Sequence, residues 1–177
     1  MSLLEPDRYF SRVSAVSLDD DLLALGLTHV LLDMDNTILS RATHSVPLDV
    51  MKWIGDAKRA GIRLCLLSNN WHRTPYATGE ALALPVVAKA MKPLPSGFAA
   101  ATRKIGGTRA DTVVVGDQPS TDVLGAHLAG MRAYLVAPLV EEGEPGHTRF
   151  VRALERALIG SPEGRDPANA CRKGDPL

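Results

Sequence analysis

Two carboxylates and a hydroxyl close an apolar run in this chain: His29-Val30-Leu31-Leu32-Asp33-Met34-Asp35-Asn36-Thr37. Such a run, broken abruptly by polar groups, reads as a buried strand whose carboxyl end reaches solvent. In open α/β sheets that edge is where ligands bind. Asp33 and Asp35 would share one face of a continuing strand, and a turn just beyond it could converge them on one point. Carboxylates held that close repel unless a proton or a divalent cation compensates them. A hard cation such as Mg2+ takes oxygen ligands and keeps several waters. The pair therefore has the composition of a metal site in which one aspartate attacks phosphorus and the other moves a proton. A plain strand end would carry the same residues, because Asp and Asn bond their own backbone in turns.

Other strand ends decide between the two readings. Ser68 follows the apolar run 62–67, where its hydroxyl and nearby N–H groups could hold phosphoryl oxygens; alone, it reads equally as a turn residue. Lys92, followed by Pro93, could offset phosphoryl charge, with Lys89 as its rival in the same basic loop. Asp117 and Asp122 stand five apart across the turn that follows the run 112–115, a spacing that lets both face the sheet edge and hold a cation or orient its waters. The competing reading is an acidic first turn favoured by the helix dipole. Arg73, a few residues after Ser68, is a candidate contact for a second phosphate or an anionic headgroup.

Five strands are expected, at 28–32, 62–67, 84–88, 112–115 and 131–136, alternating with helical patterns at 17–25, 47–60, 74–82, 96–105, 120–129 and 147–159. The alternation predicts an α/β fold, a Rossmann-like three-layer sandwich with a central parallel sheet. Residues 1–159 form the expected domain, and 160–177, without periodicity, an expected disordered tail. At 177 residues the chain can bury a real core, and its 20 basic and 20 acidic side chains cancel, which gives no sign of a nucleic-acid partner. Two cysteines, Cys65 in an apolar run and Cys171 in the tail, are no disulfide framework and fit the cytoplasm. The first ten residues lack the unbroken apolar region of a signal peptide, so contact with a membrane is expected to be peripheral at most.

In order, Asp33-Met34-Asp35-Asn36-Thr37, Ser68, Lys92-Pro93 and Gly116-Asp117-Gln118-Pro119-Ser120-Thr121-Asp122 resemble the four motifs of the haloacid dehalogenase (HAD) superfamily. The likeness extends to the YqeG-type phosphatases, relatives of the mitochondrial phosphatidylglycerophosphatase, through Leu4-Glu5-Pro6-Asp7-Arg8-Tyr9, Leu67-Ser68-Asn69-Asn70, Thr121-Asp122-Val123-Leu124-Gly125 and Thr148-Arg149. It implies a Mg2+-dependent phosphomonoesterase working through an aspartyl-phosphate. Asp33 would be the nucleophile and Asp35 the acid and base. Thr37 and Ser68 would position the phosphoryl group and Lys92 would offset its charge. Asp33, the carbonyl of Asp35, and Asp117 would hold the metal, with Asp122 supporting or ligating it, and Asn69 and Arg73 would meet the substrate. Met34 stands where leucine is commoner and His127 where relatives often carry asparagine. The segments 37–68 and 68–92 leave no room for a cap domain. An open site suits a phosphate presented by something large, such as a phospholipid headgroup; a soluble phosphorylated metabolite is the alternative, and a phosphate- or partner-binding module without turnover a third reading.

Overall fold

In the computed structural model, which describes residues 2–40 and 43–139, six strands form one parallel sheet. They are β1 (Arg8–Phe10), β2 (His29–Asp33), β3 (Arg63–Leu67), β4 (Val86–Val87), β5 (Thr112–Gly116) and β6 (Arg132–Val136), side by side in the order β1-β6-β5-β2-β3-β4. Successive side chains of a strand point to opposite faces, so parity divides the core into two layers. Val30, Leu32, Leu66, Val115 and Tyr134 enter one layer. Leu31, Cys65, Leu67, Val114 and Ala133 enter the other. Burial on both faces is why the central strands read as unbroken apolar runs rather than alternating ones.

The first layer is closed by α1 (Leu48–Arg59), which buries Val50, Trp53, Ile54 and Ala57 at helical spacing. Asp49 in its first turn and Lys58 and Arg59 in its last complement the helix dipole. Trp53 Nε1 donates to the Val16 carbonyl at 2.7 Å, so the large ring is buried with its one polar atom satisfied. The helical turns Leu18–Leu22 and Leu23–Leu25 cover the same side, and Ser17 caps the first of them by accepting from the Asp20 amide. α2 (Thr74–Leu82) joins β3 to β4. α3 (Pro95–Lys104) and α4 (Leu124–Leu128) close the second layer through Phe98, Ala101 and Ala126.

β1 is an addition to the strands expected from sequence. It pairs with β6, Arg8 beside Tyr134 and Phe10 beside Val136, and is too short to show a period of its own. Its neighbours hold it. Arg8 pairs with Asp21 and lies over the Tyr134 ring, whose hydroxyl donates to the Asp21 carbonyl at 2.7 Å. Asp7 accepts from the Ala133 amide at 2.8 Å, and His127 reaches both Asp7 and the Leu3 carbonyl. The helical turn after β5 begins at Pro119 (Pro119–Val123) with Gln118 as its cap residue, earlier than the Ser120 or Thr121 cap expected, because proline suits a first helical position. β4 is two residues long rather than five. The helix expected at 147–159 and the tail from 160 lie outside the described residues. No helix among the described residues is long and apolar enough to cross a membrane.

Candidate active site

Strand parity also places the chemistry. Asp33 shares the face of Leu31, the face covered by α3 and α4. The loops entering those helices bring Lys92 and Asp122 to that side of the carboxyl edge. β2 and β3 end in step, Asp33 beside Leu67, so Ser68 follows at the same edge. β2 and β5 are in register up to Leu32 beside Val115, which delivers Asp117 two residues later.

After Asp33 the chain turns rather than continuing as a strand. The Ile38 and Leu39 amides donate to the Met34 carbonyl at 3.1 and 2.9 Å, and the Asn36 amide to the Leu39 carbonyl at 2.8 Å. Asn36 has φ 61°, a left-handed conformation that asparagine tolerates better than most residues. Met34 and Ile38 are buried in the first core layer and anchor the turn. The fold thereby sinks Thr37 beneath the strand end, its hydroxyl donating to Asp33 Oδ2 at 3.1 Å and lying 3.4 Å from Asp117 Oδ1. Asp35 is half-buried and stands outside the carboxylate cluster described next.

Carboxylate oxygens of Asp33, Asp117 and Asp122 lie within 4.8 Å of one another, all three residues buried. Lys92 Nζ sits among them, paired with Asp33 Oδ1 and with Asp122 Oδ1, the latter at 2.7 Å. Asp122 Oδ2 accepts from the Gln118 amide at 3.1 Å. Burial pulls the Lys92 ammonium toward neutrality, but Asp122 and Asp33 together outweigh it and hold its pKa above the usual lysine range. Burial pushes the Asp122 carboxyl up to about 6; Lys92 opposes that rise and the Asp33 charge adds to it. Three carboxylates against one ammonium leave a net charge of −2 in a buried cluster. An oxygen-preferring divalent cation fits that donor set and that charge.

Of the two lysines in the loop, only Lys92 enters the cluster. Lys89 is exposed, with its ammonium over the Trp71 ring. Ser68 is buried, its hydroxyl accepting from the Asn70 amide at 3.0 Å. Asn69 has a structural task that sequence reasoning missed: Oδ1 accepts from the Lys92 amide at 2.7 Å and Nδ2 donates to the Lys92 carbonyl at 3.1 Å. The asparagine next to Ser68 thus grips the peptide that presents the lysine. Arg73 is exposed at the entry to α2, away from the cluster's buried interior. Gly116 was also missed as a site residue. A Cβ there would come within 2.3 Å of the Asp122 carboxyl carbon, so only glycine lets that carboxylate lie across the end of β5.

The chain belongs to the haloacid dehalogenase-like hydrolases, whose family model matches residues 8–130. Within them it is a YqeG-type phosphatase, 30% identical over 156 residues to the probable phosphatase YqeG of Bacillus subtilis (strain 168), a match spanning 88% of this chain and 90% of that protein. Solved structures share the fold. An uncharacterized protein from Listeria monocytogenes serotype 4b superposes with a TM-score of 0.52 at 17% identity, covering 75% of this chain and 97% of that one. The cobalt-bound deoxy-D-mannose-octulosonate 8-phosphate phosphatase of Haemophilus influenzae gives 0.52 at 16% identity, covering 81% and 95%.

Proposed function

We propose that this phosphatase is Mg2+-dependent and works through an aspartyl-phosphate on Asp33, with a phospholipid monoester, phosphatidylglycerophosphate, as its substrate. The observation that carries the mechanism is the buried Asp33 carboxylate, held from two sides by Thr37 and Lys92 at a strand end. A carboxylate fixed there can attack phosphorus as the bond to the ester oxygen breaks. Asp35, in the turn that follows β2, gives its proton to the leaving oxygen, then takes one from the water that attacks phosphorus and releases Asp33. Lys92 holds the charge of the phosphoryl oxygens, while Ser68 and Thr37 orient them. Asp33, Asp117 and the Asp35 carbonyl would hold Mg2+, which when bound neutralises phosphoryl charge. Asp122, with one oxygen on Lys92 and the other on the Gln118 amide, acts through the lysine. Asn69 positions the Lys92 loop, and Arg73 meets the rest of the headgroup at the rim.

The lipid assignment rests on the open edge. Among the described residues β2 and β3 are joined through α1, and β3 and β4 through α2, with no inserted module over Asp33. The resemblance of its motifs to those of relatives of the mitochondrial phosphatidylglycerophosphatase favours the same reading. The deciding measurement is phosphate release from phosphatidylglycerophosphate in mixed micelles, with and without Mg2+, beside a soluble phosphomonoester. Asp33→Asn should abolish release and Asp35→Asn slow it severely; retained turnover in Asp33→Asn would refute the mechanism. Turnover of the soluble ester alone would discard the lipid assignment.

A further inference from the structure

Two loops at the carboxyl edge and the first turn of α2 carry more apolar surface than the chemistry uses. Trp71, Tyr76, Met91 and Leu94 are 67, 57, 53 and 54% exposed. Scattered single exposed apolar residues are ordinary, but these four are mounted on one linked unit. The Lys89 amide reaches the Asn70 carbonyl at 3.4 Å, the Ala90 amide donates to the Ser68 carbonyl at 3.0 Å, and Asn69 grips the Lys92 peptide. Leu94 is tied to Met91 through its amide at 2.9 Å, and Tyr76 to Arg73 at 3.1 Å. Trp71, on the β3 loop, meets Lys89, on the β4 loop, with the ammonium 5.0 Å from the ring centre.

The charge of this unit has one sign. Residues 68–79 and 88–107 contain no Asp or Glu, in a chain whose charges cancel overall. Lys89 and Arg73 are exposed there, and among the described residues neither pairs with a carboxylate. An exposed tryptophan beside long cationic side chains suits the boundary between headgroups and acyl chains, where the ring sits at headgroup depth and the cations face lipid phosphates. A protein seated on this rim would cover the approach to Asp33, whereas a bilayer presents an ester to it.

We propose that the Trp71–Lys89 rim is a docking surface for an anionic phospholipid bilayer, which sets the open edge of the sheet against the membrane. The proposal rests on the lipid reading above and is tested apart from it, with vesicles that contain no phosphomonoester. Full-length protein is sedimented with phosphatidylcholine vesicles, with and without phosphatidylglycerol, and Trp71 emission is followed with brominated acyl chains as quencher. The expected result is binding only with phosphatidylglycerol, quenching that disappears in Trp71→Phe while the buried Trp53 is untouched, and affinity lowered about thirtyfold by the charge reversal Lys89→Glu. Hydrolysis of p-nitrophenyl phosphate should be unchanged in Trp71→Phe and Lys89→Glu, which shows the site intact. Equal binding to both vesicles, no quenching of Trp71, or Lys89→Glu binding as wild type would overturn the proposal. Docking without hydrolysis of phosphatidylglycerophosphate would support the surface and refute the substrate; hydrolysis in micelles without docking would do the reverse.

Discussion

Lys92→Met should destabilise the fold as well as stop the chemistry, and the size of the effect follows from burial. Asp33, Asp117 and Asp122 are 6, 6 and 2% exposed, and the Lys92 side chain 4%. Removing the single ammonium leaves three clustered carboxylates with no cation among them. Deleting one partner of a buried ion pair costs about 3–5 kcal/mol, whereas an exposed pair is worth about 0–1 kcal/mol. For a chain of this size, a shift of about 2–4 °C per kcal/mol gives a fall in melting temperature of roughly 6–20 °C. The assay is urea unfolding at neutral pH in EDTA, comparing wild type, Lys92→Met, Asp122→Asn and the double variant. Asn at 122 retains an oxygen for the Gln118 amide, so the double variant should be more stable than Lys92→Met alone. Mg2+ should raise the unfolding midpoint of Lys92→Met more than that of wild type, since only a bound cation then opposes the carboxylates. A loss under about 1 kcal/mol, or additive costs in the double variant, would refute the electrostatic account.

Gly116→Ala should push Asp122 off Lys92 and lower phosphate release at least about tenfold, because its Cβ would meet the carboxylate at 2.3 Å; steady-state kinetics check this. Gly125→Ala places a methyl 2.3 Å from the Phe98 ring between α4 and α3 and should cost about 1–3 kcal/mol in urea unfolding. Cys65 is fully buried, and burial lifts its thiol to about 11, against a smaller opposing pull from Lys104. At pH 8 about a thousandth is thiolate, so in Cys171→Ser protein a disulfide reagent should react only after denaturation. Asp111 tends upward through burial, but the Thr108 amide, His29 and the Thr112 hydroxyl outweigh that and lower its pKa. A lowered carboxyl stabilises the fold above its unfolded value and loses that contribution as pH falls through the folded one. The stability gap between wild type and Asp111→Asn should therefore be full at pH 6–7 and shrink below about pH 4, read from urea midpoints.

The central strands were legible in the sequence because both of their faces are buried, which makes each an apolar island. The residues gathered around Asp33 were legible because carboxylates, a serine and a lysine recur where those islands end, and a parallel sheet aligns such ends. β1 was not, since three residues show no period and their partner, β6, lies more than a hundred residues on. Composition left Lys89 as a rival to Lys92, and it was the motif resemblance that singled out Lys92; both follow β4, and the backbone path turns Lys92 inward. Asn69 was expected at the substrate, and its grip on the Lys92 main chain was not foreseen, because side chain to main chain bonds leave no mark on composition. The early start of the turn at Pro119 was visible in the proline, although Ser120 and Thr121 drew the boundary toward themselves.

The grip of Asn69 on residue 92 has a practical meaning. Both of its bonds fall on main-chain atoms, which every residue type except proline offers in the same way. Position 92 is therefore a socket whose mounting is separate from whatever is plugged into it. A shortened, neutral or chemically tagged side chain there keeps both of these loop bonds, so what such variants lose traces to the ion pairs with Asp33 and Asp122 rather than to the mounting of the loop.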